Sequence, residues 1–215
     1  MSESFTPALG YSWLTSLYDP VVRWLTREAA FKSRLIAQAA ICPGQRVLDV
    51  GCGTATLALM VKRQQPDATI VGLDADDRIL SLAAAKVRAA GLDIALDRHG
   101  SDALPYPDAT FDKALSSLML HHLTRAKKRA TLAEICRVLR PGGQLHVADW
   151  GRAQDVVMRG AFLIVQVLDG FETTTDNVNG KLPELIRKAG FRATAETQRL
   201  RTPLGTISLY RAERP

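Results

Sequence analysis

The sequence predicts an α/β protein with a parallel sheet, and three observations support this class. A short apolar strand with β-branched residues runs into two closely spaced glycines within residues 47–54. A second apolar strand, residues 69–73, is followed at once by an acid, Asp74. Segments with apolar residues at helical spacing, such as residues 76–91, alternate with these strands. That alternation is typical of βαβ units.

Composition and charge indicate one globular core. The chain has 215 residues, of which 47% are hydrophobic and 23% are charged, as in ordinary soluble domains. The formal charge of +6 would permit a nucleic-acid partner. However, the basic residues are scattered, and the densest cluster, within residues 125–129, falls at the start of a predicted helix without interleaved aromatic residues. A nucleic-acid partner is therefore not expected.

The cysteines and the N-terminus indicate a cytoplasmic protein. Cys42, Cys52 and Cys136 are odd in number and lack metal-ligand spacing, which fits a reducing compartment. No metal site is predicted. The first residues lack the charged head and apolar core of a signal peptide, and no apolar run approaches the roughly 20 residues of a spanning helix. We expect a soluble, cytoplasmic protein.

Residues 1–44 are predicted to form an N-terminal helical cap, followed by one domain over residues 45–215. Asp19 and Pro20 together indicate a helix start, because an acid can cap and proline suits the first helical position. Apolar residues then recur on one helical face. These positions are Val21, Trp24, Leu25, Phe31, Leu35 and Ala39.

The first strand ends in a turn suited to a ligand of nucleotide size. Gly51 and Gly53 permit unusual backbone angles and close approach of a ligand, and Thr54 could cap the following helix. The turn does not complete the dinucleotide pattern, because Thr56 stands where a third glycine would be. Asp49 would repel a pyrophosphate but suits a cationic or hydroxyl-bearing ligand.

The remaining elements follow from periodicity, capping residues and glycine or proline stops. The segment 156–168 is apolar almost all round, so it must be buried, lie against a partner chain or line an apolar pocket. The predicted elements are a helix from Asp76 or Asp77 to Gly91, strands 92–96 and 111–120, a helix over 125–139 stopped by 141–143, a strand over 144–150, a helix over 156–168, a polar loop over 173–179, a helix over 181–190, and a hairpin of 191–200 with 204–211.

Four ordered motifs carry a family resemblance. They are the turn within 47–54, Asp74, the segment 111–123 and the turn at 139–143. Together they resemble the class I S-adenosylmethionine-dependent methyltransferases. The resemblance implies one doubly wound, Rossmann-like sheet of seven strands in the order 3-2-1-4-5-7-6, with the last strand antiparallel.

The resemblance also implies a cofactor, S-adenosylmethionine, and residues that bind it. The glycine turn would hold the methionine part, Asp74 the ribose, and Asp102 the adenine amino group, while Tyr18 in the cap could contact the methionine group. The implied cofactor-binding residues are Asp49, Gly51, Cys52, Gly53, Thr54, Asp74, Ala75, Ser101, Asp102, Ala103, Ser117, Leu118 and Tyr18.

His121 and His122 are the candidate catalytic residues. Loss of a methyl group from a sulfonium leaves a neutral thioether, so catalysis can be mostly positioning and exclusion of water. A base is needed only if the nucleophile arrives protonated, and histidine suits that role near neutral pH. The pair can equally be a substrate contact or a capped turn.

The implied acceptor is a small, partly apolar molecule between the cap and segment 156–168. The likeness is closest to the branch of quinone and phospholipid methyltransferases. Two alternatives stay open: an NAD(P)-dependent oxidoreductase, which Asp49 argues against, and a protein that binds S-adenosylmethionine without turnover. The sequence indicates neither the methylated atom nor an oligomeric state.

Overall fold

A computed structural model describes residues 27–215 and shows a seven-stranded sheet in the order β3-β2-β1-β4-β5-β7-β6. Strands β1 to β5 pair in parallel with their neighbours, whereas β7 is antiparallel to both β5 and β6. The predicted fold class and strand order are confirmed. The strands are β1 Arg46–Val50, β2 Thr69–Asp74, β3 Ala95–Arg98, β4 Phe111–Ser117, β5 Leu139–Trp150, β6 Arg192–Thr202 and β7 Gly205–Glu213.

Helices cover both faces of the sheet. Val47 of β1 packs in the apolar cluster with α1, α2, α3 and α5, while its neighbour Leu48 packs on the other face with α4 and α7. This alternation follows from the two-residue repeat of a strand. The helices are α1 Glu28–Ala39, α2 Thr56–Gln64, α3 Asp77–Ala90, α4 Arg125–Val138, α5 Val156–Asp169, α6 Phe171–Val178 and α7 Leu182–Lys188.

Helix α1 joins the main core directly. Its predicted apolar face, Phe31, Leu35 and Ala39, is fully buried, and the Gln38 side-chain amide donates to the carbonyl of Tyr210 at 3.0 Å. The helix predicted from Asp19 and Pro20, with Val21, Trp24 and Leu25, lies outside the described residues. The division between cap and domain at residue 44 stays a prediction.

Strand β4 is shorter than predicted, and this positions the histidine pair. The strand ends at Ser117 because Leu118 adopts a left-handed φ of 53°. The Leu118 N–H donates to the Ala148 carbonyl at 2.8 Å. A 3₁₀ turn, Leu120–His122, follows. The histidines therefore lie on a turn above the sheet edge rather than at the end of a strand.

Two other strands begin at different residues from those predicted. Strand β3 starts at Ala95 rather than at residue 92, because the chain must leave the left-handed Gly91 that closes α3 before it can pair with β2. Helix α4 ends at Val138 and β5 starts at Leu139, which pairs with Phe111. Residues 141–143 thus form an irregular part of the strand rather than a stop before it.

The predicted polar loop at 173–179 is wrong, because residues 171–178 form helix α6. The Thr174 hydroxyl donates to the Gly170 carbonyl at 2.6 Å and accepts a bond from the Gln166 amide at 3.2 Å. Asp176 and Asn177 are buried. Thr174, Asp176 and Asn177, three of the polar residues that suggested a loop, therefore have partners within the protein.

Helix α5 is apolar on both faces, and its outer face is exposed. Met158, Phe162 and Val165 are buried, whereas Ile164 and Val167 are 59% and 71% exposed among the described residues. The expected burial is thus confirmed for one face. Within residues 27–215, no helix has the length and apolarity needed to cross a membrane.

Candidate functional site

The glycine turn lies at the carboxyl end of β1. Gly51 and Gly53 have φ values of 70° and 54°, a region that glycine adopts without strain. The N–H groups of Gly51 and Cys52 donate to the Leu73 carbonyl at 2.8 and 3.0 Å, which ties the turn to β2. A Cβ atom at Gly51 would lie 2.3 Å from Cγ of Met119. Glycine is therefore required there, and the segment leading to the histidine turn lies directly against it.

Asp49 is a buried acid with unused hydrogen-bonding capacity. The residue is 1% exposed, and neither carboxylate oxygen has a hydrogen-bond partner among residues 27–215. Burial raises the pKa of Asp49 to about 7, while Lys32 lowers it and Asp74 raises it further. Because buried polar groups are normally paired, the carboxylate indicates a ligand that brings a cation or a donor.

Asp74 is held in place at the end of β2. One carboxylate oxygen accepts the Gly53 N–H at 2.9 Å, and the other accepts the Asp76 N–H at 3.1 Å. An ionised carboxylate has about four acceptor positions, so capacity remains for further donors. Ala75 beside it is exposed. The structure thus brings Asp49, Asp74 and both glycines together at one turn.

Cys52 and Thr54 lie at the glycine turn, where the Thr54 side chain does not act as expected. The Cys52 thiol packs against the sheet, 3.0 Å from where a Cβ of Gly72 would lie, and burial raises its pKa far above the ordinary value. It stays a protonated thiol, and its sulfur donates to the Gly53 carbonyl at 3.7 Å. Thr54 does not cap α2, because the helix begins one residue later than expected, after Ala55 with φ 58°. That predicted cap is wrong.

A loop after β3 carries the residues expected at the adenine, and α4 holds this loop. The Ser101 hydroxyl bonds that of Thr131 at 2.9 Å. The Leu104 N–H donates to Glu134 at 2.7 Å, and Arg137 donates to the Leu104 carbonyl at 3.0 Å. Arg137 also pairs with Glu134 at 2.7 Å. The Glu134–Arg137 ion pair therefore binds both the N–H and the carbonyl of Leu104.

Asp102 and Ala103 project from the same loop and are exposed. The Asp102 carboxylate lies 2.8 Å from where a Cβ of Gly100 would be, so the glycine allows its inward approach. Ser117, at the end of β4, has a buried hydroxyl without a partner among the described residues, and Leu118 follows it. Tyr18 lies outside the described residues.

The end of β5 and the end of α5 surround His121. Its Nδ1 lies 2.7 Å from Oδ1 of Asp149, and its Nε2 lies 3.6 Å from Oδ2 of Asp169. Asp149 is fully buried and also accepts the Trp150 N–H at 2.7 Å. Burial opposes the charge of His121, but the carboxylates, Asp149 above all, more than offset this and raise its pKa to about 9.

His122 packs against His121 and is more accessible. The ring centroids are 3.9 Å apart, and part of His122 reaches solvent. Desolvation within the crevice and the charge of His121 lower the pKa of His122 to about 4. His121, His122 and Asp169 each offer one ligand atom, and these atoms all lie within 4.8 Å of one another.

Sequence reasoning missed four residues that support this arrangement. Lys32 follows Phe31 in a buried helical stripe, an unusual position for a lysine that could have been noticed. Glu134, Arg137 and Asp169 were missed because the residues that they hold at the site, Leu104 and His121, are distant from them in the sequence.

Comparisons with known proteins point to one family. A family described as "Methyltransferase domain" matches residues 47–143. "Uncharacterized methyltransferase sll0829" of Synechocystis is 30% identical, over 84% of this chain and 83% of the relative. "Demethylmenaquinone methyltransferase" of Thermus thermophilus is 32% identical, over 65% of this chain and 64% of the relative, so this chain spans just under two thirds of that protein.

A solved structure supports the fold. The structure of a "SAM dependent methyltransferase" from Aquifex aeolicus matches with a TM-score of 0.71 at 19% identity, over 99% of this chain and 100% of that chain. The oxidoreductase alternative gains no support, because the matched family and both relatives are methyltransferases. The chain belongs to the class I S-adenosylmethionine-dependent methyltransferases.

Proposed function

We propose that this methyltransferase acts on a small, partly apolar acceptor with a quinone-like ring. A relative named for demethylmenaquinone supports the acceptor class. The observation that carries the cofactor site is Asp49, whose buried oxygens are unpaired at the glycine turn. The histidine turn, which lies against Gly51 through Met119, is the proposed acceptor side of the crevice.

The residues present fit S-adenosylmethionine. Asp49 would hold the ammonium of the methionine part, because a carboxylate without partners gains most from a cation. The backbone of residues 51–54 would lie along that part, with Gly51 and Gly53 allowing close approach. Asp74, fixed by two backbone N–H groups, would accept the ribose hydroxyls. Ser101, Asp102 and Ala103 would contact the adenine.

In the mechanism that we propose, the chain contributes positioning and exclusion of water. When bound, the cofactor supplies an electrophilic methyl group on a sulfonium. Ser117 and Leu118 would border the reacting atoms, and the histidines would contact the acceptor. Both ring nitrogens of His121 face carboxylates, which leaves His122 accessible to an entering molecule. In-line displacement forms one bond to carbon and breaks one carbon–sulfur bond, and any acceptor proton goes to solvent.

Titration calorimetry tests the cofactor residues. Wild-type protein should bind S-adenosylmethionine, and Asp49→Asn and Asp74→Ala should each weaken binding at least about tenfold, as expected for loss of charge-assisted bonds. Asp93→Asn, an exposed acid elsewhere, is the matched control. Equal binding by all four proteins would contradict the assigned site.

Mass spectrometry tests the acceptor class. Demethylated quinols and simple phenols with and without an apolar tail are incubated with cofactor and protein. We expect the product to gain one methyl group, with the tailed quinol preferred. Binding of cofactor with methylation of none of these acceptors would reject the acceptor class while leaving the cofactor site intact.

A further inference from the structure

We propose that His121, His122 and Asp169 bind one divalent transition-metal ion of the zinc class. One ligand atom from each residue lies within 4.8 Å of the others, and His121 Nε2 is 3.6 Å from Asp169 Oδ2. Ligand atoms about 2.1 Å from a tetrahedral zinc ion lie about 3.4 Å apart. A small closure of the cluster therefore gives coordination distances.

The orientation of His121 is that of a metal ligand supported by a second carboxylate. Asp149 lies 2.7 Å from Nδ1, and Nε2 is the nitrogen that lies near Asp169. Asp149 is itself fixed by the Trp150 N–H. Metal-binding histidines usually donate their other nitrogen to such a carboxylate, which sets the tautomer and the ring direction.

The third ligand is placed by the junction of two helices. Asp169 is the last residue of α5, its side chain is 12% exposed, and its carbonyl accepts the Thr173 hydroxyl of α6 at 2.8 Å. The Gly170 N–H donates to Gln166 at 3.0 Å. The ligand set therefore comes from the Leu120–His122 turn and the end of α5. The sequence did not predict it because Asp169 is far from the histidine pair along the chain.

Three protein ligands leave a coordination position open, as in catalytic rather than structural zinc sites. His122 reaches solvent, so that position is accessible to an acceptor. This use of the site rests on the proposed function: a hydroxyl of the acceptor would become the fourth ligand, lose its proton to solvent and present an oxyanion. Acceptors with a phenolic or enolic oxygen are the class that the site would take.

Cobalt spectroscopy and zinc calorimetry on metal-free protein test the site. We expect one equivalent of Co²⁺ to bind, with visible ligand-field absorption of a low-coordinate nitrogen and oxygen site. His122→Ala and Asp169→Asn should abolish that absorption. Asp149→Asn should weaken binding about 10- to 100-fold. The matched controls are His99→Ala and Glu172→Gln, both at exposed positions, and both should bind as wild type does.

Thermal melting and metal binding test the metal site independently of the methyltransferase assignment. Zn²⁺ should raise the melting temperature of wild type and of both controls, but not of the ligand variants, whose circular dichroism should be unchanged. Absence of saturable binding, or binding that survives both ligand substitutions, overturns the metal site and leaves His121 as an imidazolium between two carboxylates. Methylation of the tailed quinol by that metal-free protein would show that the proposed function stands without the metal.

Discussion

At the scale of single residues, Asp49 combines a cost for folding with a proposed role in cofactor binding. Its carboxylate is buried without a hydrogen-bond partner in the described part of the chain, and burial raises its pKa to about 7. An uncharged side chain at this position would therefore make the folded protein more stable. Such unpaired groups concentrate at functional sites, where a ligand supplies the missing partner.

Replacing Asp49 with asparagine should stabilise the cofactor-free protein and impair cofactor binding. The folded pKa of about 7 exceeds the ordinary value of 3.8. Ionisation of Asp49 therefore destabilises the fold as pH rises from about 4 to about 7. Above pH 7 the loss in the free energy of unfolding reaches about 4 kcal/mol. Melting temperatures of wild type and Asp49→Asn should diverge at pH 8 and nearly coincide at pH 4. A lower melting temperature for the variant at pH 8 would refute this.

The same pKa predicts how cofactor affinity depends on pH. The cofactor ammonium requires the ionised carboxylate, so the affinity for the cofactor should decrease below about pH 7. At lower pH the decrease should approach about tenfold for each pH unit. Calorimetry between pH 5 and 8 measures this dependence. Lys32→Met removes a cation that lowers the pKa of Asp49, so the midpoint should move to higher pH. A flat profile in wild type would contradict the assignment of Asp49 to the ammonium.

At the scale of elements, α4 controls the loop after β3. Its Thr131, Glu134 and Arg137 bond to Ser101 and Leu104, so a helix on one face of the sheet fixes the loop proposed to hold adenine. The loop itself has exposed residues and no regular structure. Its position therefore depends on these side chains rather than on its own backbone ladder.

Glu134→Ala should loosen that loop and weaken cofactor binding. The substitution leaves the Leu104 N–H without its acceptor, which costs about 1–3 kcal/mol, and removes the carboxylate that pairs with Arg137, which keeps Asp108 and the Leu104 carbonyl. We expect binding to weaken at least about fivefold. Hydrogen exchange should accelerate at residues 101–105 and remain unchanged in β1. Glu184→Ala, which removes an exposed ion pair with Lys188 in α7, is the control. Unchanged exchange at Leu104 would show that α4 does not hold the loop.

The elements also show which parts of the fold the sequence could predict. Asp76 caps α3 through the Arg78 and Ile79 N–H groups, and Gly91 ends that helix in the left-handed region, because both signals are local. Residues 173–179 were wrongly predicted as a loop, because their polar side chains are partnered by tertiary contacts that no local pattern reveals. Thr54 failed as a cap because the tight turn extends through Ala55.

At the scale of the whole molecule, the sheet order assembles the site. Neighbouring strands β4 and β5 bring His121 next to Asp149, and the return of α5 and α6 across the same end brings Asp169. Asp49 and Asp74 could be placed at this edge because each lies at or near the carboxyl end of a recognisable strand. Asp149 could be placed there in the same way, because it lies near the carboxyl end of β5. The other partner of His121, Asp169, could not, because its position depends on how α5 and α6 pack after the sheet has formed.

Substitutions on the two faces of α5 test whether all the contacts of this helix come from the described residues. Phe162 is 3% exposed, and its ring centroid lies 5.1 Å from that of Trp150, so Phe162→Ala should cost about 3–5 kcal/mol. Ile164 is 59% exposed, so Ile164→Ser should stay within about 0.5 kcal/mol of wild type in chemical denaturation. If Ile164→Ser lowered the free energy of unfolding by more than about 1 kcal/mol, residues 1–26 or a second copy of the chain would have to cover this face. Repeating the measurement over a range of protein concentrations separates those two causes, because only an association between copies depends on concentration.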